Sequence, residues 1–581
     1  MSSQSWLRPL ALAAALLLPF AAAMLVYARF LGQSFFRDDT AWLLAARNPD
    51  VLDFLRDAFT LPGGSTPYWR PLADFYFFAM YRLFFLNALP YHAANVVLHG
   101  ATATATVLLI RQMTRSLLAG ALAGTLFAVA PAYGEGVIWI STVGTSMAAL
   151  FSVITMVLFL RYIDEEGGRG TLFLAIGTFT AALLSMEASV CVPAILVVLG
   201  LAVRPPQGAA DIRRFVMALL PFVVLGAAYA ALQLSQAYLE PTSEHQLDWH
   251  AAARLGDRVL WLSLPLASWD YGSWVDGARW VSLAMLTLAA AVAVLRRQWM
   301  LPALFASAIF ALIPSSFLTG MFVYRLVYMA SPLWAGFVAV LVTTIVRWLW
   351  MRHALAGGVT LLFVTSALAA ALLPHSSWVQ RGVTEQAAQM GEIRAAIEAG
   401  CSDLGSGDTV FILPLPIVDP PGQGLVPSLI HLVRPEPGVV HVGGSGLPPP
   451  SPGDCVLEWR SGKYRAVVGS DYVPNRFWGV TLTAPCPAAV PWQRAGFHND
   501  ELAIVRGPVV DVVHVGVTTI LQIGGPSKHR FNVIPAPEHQ MVFQNPETAY
   551  LGETICVRGV VRAVQGVLTM TIEDPDVIAI E

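Results

Sequence analysis

RPLALAAALLLPFAAAMLVYARFLGQSFFRDDTAWLL, residues 8–44, sets a long apolar run against an adjacent acid pair, Asp38 and Asp39. At 1.5 Å per helical residue the run over 8–30 crosses a hydrocarbon core of ~30 Å, where a carboxylate costs several kcal/mol. The aspartates therefore sit at the edge of a bilayer, either as a solvated stop or as working chemistry. The run is too long for a signal-peptide core and no small-x-small cleavage site ends it, so it is expected to remain as a span. Composition agrees: the 581 residues are 56% hydrophobic and 13% charged, with a mean hydropathy of +0.60. Soluble domains carry about 25% charge, so a soluble enzyme is excluded. A net charge of −3 offers no basic surface, and no nucleic acid partner is expected.

Working outward, apolar runs recur near 92–112, 116–133, 137–161, 171–184, 187–204, 214–236, 279–296, 300–319, 326–350 and 354–374, which with 8–30 makes eleven candidate spans. The apolar stretch 72–89 carries Asp74 and Arg82 and reads as an interfacial helix instead. With the N-terminus cytoplasmic, every short arginine-rich loop falls on one side: Arg111/Arg115, Arg161/Arg169, Arg204/Arg213/Arg214, Arg296/Arg297 and Arg347/Arg352. The other side receives Asp38/Asp39, the 131–135 turn, Glu187, the 237–278 loop and everything after 375. The expectation is an α-helical, multi-pass inner (plasma) membrane protein. Residues 1–375 form its transmembrane domain, with a first outer loop over 31–91, and 376–581 form an extracytoplasmic domain.

That C-terminal part reads as α/β. TEQAAQMGEIRAAIEAG (384–400) has helical periodicity, DTVFILPLPIV (408–418) reads as a buried strand, and GGSGLPPPSPGD (443–454) as a loop. The last residues, GETICVRGVVRAVQGVLTMTIEDPDVIAIE (552–581), contain three alternating strands with glycine turns, so 548–581 is expected to be an OB-like β segment, half of a small barrel. The five cysteines show no C-x-x-C spacing, which speaks against a zinc or thioredoxin-like site. Four of them follow residue 400, and in an oxidising compartment a Cys455–Cys486 bridge is open to them.

The outer side collects polar residues that a plain bundle does not need. They are Arg70 in STPYWRPLADF; His92, Asn95 and His99 on one helix face of LPYHAANVVLHG; Glu135 in VAPAYGEGVIWI; Glu187 in LLSMEASVCVP; and Arg325 and Tyr328 in TGMFVYRLVYMASP. The acid pair, YWRPL, YHAANVVLHG, a Pro-x-x-x-Glu turn, a Ser-x-Glu turn and an Arg-x-x-Tyr-x-x-x-Pro helix start follow one another in the order that resembles the GT-C superfamily of membrane glycosyltransferases. The resemblance is to the transmembrane O-mannosyltransferases with tetratricopeptide repeats and their bacterial relatives, over about residues 1–375. It implies a GT-C-like fold, a polyprenyl- or dolichyl-phosphate sugar donor that enters from the membrane lipids, and inverting transfer on the outer, periplasmic face. Three positions depart from the family pattern. Ala130 stands before Pro131, ISTVGTSMAAL (140–150) lacks the usual arginine and acid, and Met186 stands where a basic residue precedes the second glutamate.

Inverting transfer needs a base for the acceptor, a role open to Asp38 or Asp39. A cation should stabilise the departing phosphate, for which Arg325 and Arg70 are available, and His92 can donate a hydrogen bond. With Tyr328, Glu135 and Glu187 complete the substrate-binding set. The two glutamates can bind sugar hydroxyls, position an arginine or hold a divalent metal, and metal dependence stays open. The acceptor is a protein, a glycan or a lipid. The three departures also suit a non-catalytic scaffold of a membrane complex. A lipid or solute transporter suits the chain less, since transporters show broken spans and two related halves.

Overall fold

The computed structural model describes residues 7–581 except 48–49, 60–68, 131–133, 240–249, 266–272, 319–323, 353–377, 402–408, 414–424, 434–439, 443–453, 461–462, 469–485, 487–488, 499–501, 516–517, 525–529, 536–548, 565–566 and 573–576. The chain divides into two units. One holds residues 1–33 and 45–385, the other Ser34–Leu44 and Gln386–Glu581.

The first unit is helical: α1 (Leu7–Tyr27), α3 (Val51–Phe59), α4 (Pro71–Phe84), α5 (Ala88–Thr114), α6 (Leu117–Val129), α7 (Gly134–Ile138), α8 (Val143–Ile163), α9 (Arg169–Ser185), α10 (Val192–Val203), α11 (Ala209–Leu239), α12 (Ala251–Ser263), α13 (Trp274–Leu295), α14 (Met300–Ser316) and α15 (Ser331–Arg352). The short α2 (Asp39–Ala45) begins in the segment assigned to the other unit. Among the described residues, six helical stretches are long and apolar enough to cross a membrane: Pro9–Phe30, Ala88–Thr114, Ile140–Ile163, Ala209–Gln233, Trp274–Leu295 and Arg325–Arg352. Four of the other expected spans are apolar helices of only 10–17 residues, so the count of eleven spans is not reached; the run 354–374 lies outside the described residues. The thirteen residues of α6 cover about 20 Å, less than the hydrocarbon core.

Small residues set the packing, as expected where lipid leaves no hydrophobic drive between helices. A Cβ on Gly124 would lie 2.5 Å from Val107 and 2.7 Å from the Ala103 carbonyl, so α6 can approach α5 this closely only with glycine there. Hydroxyls within α5 return to its own carbonyls: Thr102 donates to Leu98 and Thr106 to Thr102, each at 2.8 Å.

The second unit is α/β. After α16 (Trp378–Gly400) come β1 (Val410–Leu413), α17 (Leu425–Val433) and β2 (Val440–Val442), then the hairpin β3 (Cys455–Arg460) and β4 (Lys463–Val468). They form a sheet of order β2-β1-β3-β4, in which β1 runs parallel to both its neighbours. After the short β5 (Val490–Pro491), strands β6 (Leu502–Val515), β7 (Thr518–Gly524), β8 (Arg530–Pro535), β9 (Thr554–Val564) and β10 (Val567–Ile572) pair in the ring β6-β7-β8-β10-β9 and back to β6, with β11 (Ile578–Ile580) added on β9. Only the β8–β10 contact in this ring is parallel. This is a closed five-stranded barrel with OB topology, around Leu521, Ile523, Phe531, Val533, Val557 and Met570. The OB-like segment expected at the chain end is its second half.

Two disulfides, Cys401–Cys455 and Cys486–Cys556, correct the Cys455–Cys486 bridge. Cys401 follows the end of α16 and meets Cys455 at the start of β3, while Cys486 meets Cys556 in β9. Cys191 is the one free cysteine, buried in the helical unit. Denatured, unreduced protein should therefore expose one alkylatable thiol per chain, and five after reduction. Three or more thiols before reduction, or a peptide linking Cys455 to Cys486, would contradict this pairing.

Candidate functional site

Within the helical unit the polar residues meet as two arginine–carboxylate pairs. Arg70 stands just before α4, and its Nε and Nη2 donate to Glu187 Oε2 and Oε1 at 2.8 and 2.6 Å, a two-pronged fork. Both side chains are only 18% exposed. The approach to Arg70 is held by α11, since the Trp69 carbonyl accepts from the Tyr229 hydroxyl (2.9 Å) and Gln233 Nε2 (3.1 Å). One turn into α4 stands the partly buried Asp74. Burial pushes its carboxyl up to about 7, and the Arg70 charge pulls the other way.

The second pair is looser. Glu135, buried in α7, lies 3.9 Å from Arg325 Nη1, and the Arg325 guanidinium stacks 4.5 Å from the centre of the Trp139 ring. The Trp139 carbonyl accepts from Asn95 Nδ2 at 2.9 Å and Thr142 Oγ1 at 2.6 Å, so α5 and the start of α8 fix the ring on which the arginine rests. Arg325 is the second residue of a 3-10 turn, Tyr324–Ala330, whose Tyr328 is fully buried. His99 Nε2 faces the Ala128 carbonyl at 3.1 Å, an atom that only accepts, so this nitrogen carries the proton. Nδ1 then accepts from the Tyr328 hydroxyl at 2.8 Å. A Cβ on Gly136 would lie 3.0 Å from the Tyr328 ring, which ties α7 to the Arg325 turn. His92, Asn95 and His99 are all buried, as their shared face requires.

Asp38 and Asp39 belong to the segment Ser34–Leu44 of the second unit, where Arg37 Nε donates to Gln386 Oε1 at 2.9 Å. The two acids are not equivalent. Asp39 is buried and clamps a turn: its Oδ2 accepts from the Phe36 amide (3.1 Å) while its own amide donates to the Phe36 carbonyl (3.2 Å). Asp38 is only partly buried, and it follows Arg37, whose φ of 49° is the left-handed conformation that non-glycine residues rarely adopt.

Among the described residues, one cluster has metal-ligand spacing, Cys486, Cys556 and Glu581, but its sulfurs are joined in a disulfide. Spacing along the chain did not reveal Trp139 as the platform for Arg325, nor the Tyr229–Gln233 hold on Trp69. The available signal for the latter was a polar pair four residues apart in an otherwise apolar span.

No family model matches the chain. It is 32% identical over 183 residues to Protein O-mannosyl-transferase Tmtc1 of Drosophila melanogaster, a match covering 29% of this chain and 21% of that protein. The chain resembles the GT-C superfamily of membrane glycosyltransferases. Two solved structures of the Archaeoglobus fulgidus oligosaccharyltransferase are similar at 12% identity. The apo form has a TM-score of 0.43 over 74% of this chain and 64% of that one. The AglB complex with an inhibitory peptide and a dolichol-phosphate has 0.45 over 75% and 65%. The chain thus spans about a fifth of the curated relative and just under two thirds of these structures. Two of the departures from the GT-C pattern touch in this GT-C-like chain: in the arginine-free stretch, Thr145 Oγ1 donates to Met186 Sδ at 3.1 Å.

The Asp74 carboxyl gives a pH test. Between its ordinary value of 3.8 and about 7, the folded protein holds a proton there that the unfolded chain releases. Its contribution therefore lowers stability as pH rises through that window and levels off above it. Thermal unfolding in detergent from pH 4 to 8 should show Asp74→Asn gaining on the wild type as pH rises. Parallel curves would contradict the raised carboxyl.

Proposed function

We propose that the protein is a membrane glycosyltransferase. It moves a sugar from a polyprenyl-phosphate-linked donor to a hydroxyl-bearing acceptor on the outer face, with inversion. The observation that carries this reading is the pair of arginine–carboxylate contacts held inside an apolar helical unit, in a chain that is similar over 183 residues to an O-mannosyltransferase. Charges are expensive in such surroundings, and their retention points to chemistry. The orientation draws support from the second unit. Its two disulfides suit an oxidising compartment, and the acid-pair segment belongs to that same unit.

In this reading Asp38 is the base and Asp39 holds the turn that presents it. Asp38 takes the proton from the acceptor hydroxyl. The oxygen attacks the anomeric carbon opposite the leaving group, and the bond from that carbon to the phosphate oxygen breaks. The phosphate departs as an anion, a charge that a cation stabilises; within the helical unit Arg325 suits that role, since its contact with Glu135 is long and its side chain stays partly exposed. Arg70, engaged by both oxygens of Glu187, orders the entrance to α4. His92, Glu135, Glu187 and Tyr328 shape and position the sugar site, Tyr328 through His99. The acceptor is a secreted protein, a cell-surface glycan or a lipid.

The neutral Thr145–Met186 contact favours one other reading, a scaffold that kept the fold and lost the reaction. Incorporation of labelled sugar from a panel of polyprenyl-phosphate donors into membranes separates the two. Asp38→Asn should lose about 10²- to 10⁴-fold in transfer with unchanged unfolding temperature. Asp39→Asn, whose amide oxygen can still accept from Phe36, should lose far less, and Arg325→Gln should fall with Asp38→Asn. Wild-type rates in Asp38→Asn would sink the base assignment, and no transfer from any donor by the wild type would favour the scaffold.

A further inference from the structure

The turn that carries the acid pair keeps Arg37 in the left-handed conformation, at a φ of 49°. A residue with a Cβ holds such a backbone only where surrounding contacts over-determine it, and such strain gathers at working sites. The turn itself supplies part of the hold. It closes where the Phe36 carbonyl accepts from the Asp39 amide at 3.2 Å. The Asp38 carbonyl then starts α2 by accepting from the Trp42 amide at 3.1 Å. Phe35 and Phe36 before the acids, and Thr40 and Leu43 after them, are buried, so the turn is fixed on both sides.

The rest of the hold comes from α16. The segment Ser34–Leu44 lies between α1 and α3 along the chain, yet it belongs with Gln386–Glu581. Arg37 Nε donates at 2.9 Å to Gln386 Oε1, 349 residues further along. Five residues on, a Cβ on Gly391 would lie 3.3 Å from the Ser34 Cβ, so glycine lets the helix come this close to the segment. The far end of α16 is anchored. Cys401 continues the helix, its amide donating to the Ile397 carbonyl at 3.1 Å, and its sulfur is joined to Cys455 at the start of β3. Between Gln386 and this anchor runs about 20 Å of helix, with Ala387, Met390, Ile393 and Ile397 buried along one face.

We propose that α16 positions the acceptor base. Gln386 and Arg37 are positioning residues that set the turn from which Asp38 presents its carboxylate, and α16 ties that setting to the disulfide-anchored sheet. This rests on the reading of Asp38 as the base. It gives the second unit a part in the transfer step itself, beyond any recognition of an acceptor. A base must stand within hydrogen-bond reach of the hydroxyl it deprotonates, and a misplacement of about 1 Å costs up to ~10²-fold in rate.

The test is transfer from the most active labelled polyprenyl-phosphate donor, in membranes holding the full-length chain and normalised to folded protein. Gln386→Ala should lower the maximal rate about tenfold, with the half-saturating donor concentration and the unfolding temperature unchanged. Gln386→Glu, which keeps an acceptor oxygen for Arg37, should restore most of the loss. Arg37→Gly adopts the left-handed backbone freely but offers Gln386 no donor, so it should fall with Gln386→Ala. The deciding measurement is a double-mutant cycle. In the Asp38→Asn background Gln386→Ala should cost nothing more, because residues that act through one group are not additive. A second tenfold loss there would mark a general effect on the unit and overturn this inference. Wild-type rates in both Gln386→Ala and Arg37→Gly, with transfer lost in Asp38→Asn, would overturn it and leave the base assignment standing. Wild-type transfer by Asp38→Asn would remove both. Should Arg37→Gly fail to fold, Gln386→Ala and the cycle decide.

Discussion

The bidentate contact between Arg70 and Glu187 is the constraint around which the helical unit is arranged. Neither charge is tolerable alone in an apolar bundle, and removing one partner of such a pair typically costs about 3–5 kcal/mol because the other stays buried. The contact fixes the start of α4 relative to the 3-10 turn Glu187–Cys191, and so relative to α9 and α10, which that turn joins. The same demand for partners explains the hold of Tyr229 and Gln233 on the Trp69 carbonyl, and the buried Asn95 bond to Trp139. Where a polar group here has a partner far along the chain, as the Trp69 and Trp139 carbonyls do, that contact ties one helix to another.

The helical part was legible because an apolar run of sufficient length has few other readings. Ten of the eleven expected spans coincide with apolar helices, and six are long enough alone to span. The barrel was legible only by half. Strand β6, LAIVRGPVVDVVHV, carries Gly507-Pro508 at its middle, a dipeptide that reads as a turn. In the barrel the strand continues through it. A Cβ on Gly507 would lie 2.4 Å from Ile523 and 2.5 Å from Trp492, and a register shift between Val509 and Asp511 follows. Glycine and a bulge there let one strand pair with both β7 and β9, which no local pattern predicts. The disulfides were illegible for a related reason: four cysteines allow three pairings, and the choice follows from which segments the tertiary fold brings to β3 and β9.

At the site, helical spacing put His92, Asn95 and His99 on one buried face, but it could not say who pairs with whom. Arg70 and Glu187 are 117 residues apart, and the sequence holds them only as members of one set of outer polar residues. Nor could spacing separate the adjacent aspartates. The difference between them lies in one turn, where Asp39 is tied to both backbone groups of Phe36 and Asp38 follows a residue in the left-handed conformation.

The departures from the GT-C pattern read differently once the contacts are known. A lost basic residue would matter most if it left an acid buried and unmatched, since that penalty falls on the fold as well as on any reaction. Met186 leaves no such acid. Its neighbour Glu187 is matched by Arg70, and Glu135 has Arg325. The stretch that lacks the usual arginine and acid supplies Thr145, whose hydroxyl turns to the Met186 sulfur. Two of the departures thus share one neutral contact, while both glutamates have arginine partners. Neutral residues at these two places therefore add no desolvation cost to the helical unit, whose two glutamates stay matched whether or not a reaction takes place beside them.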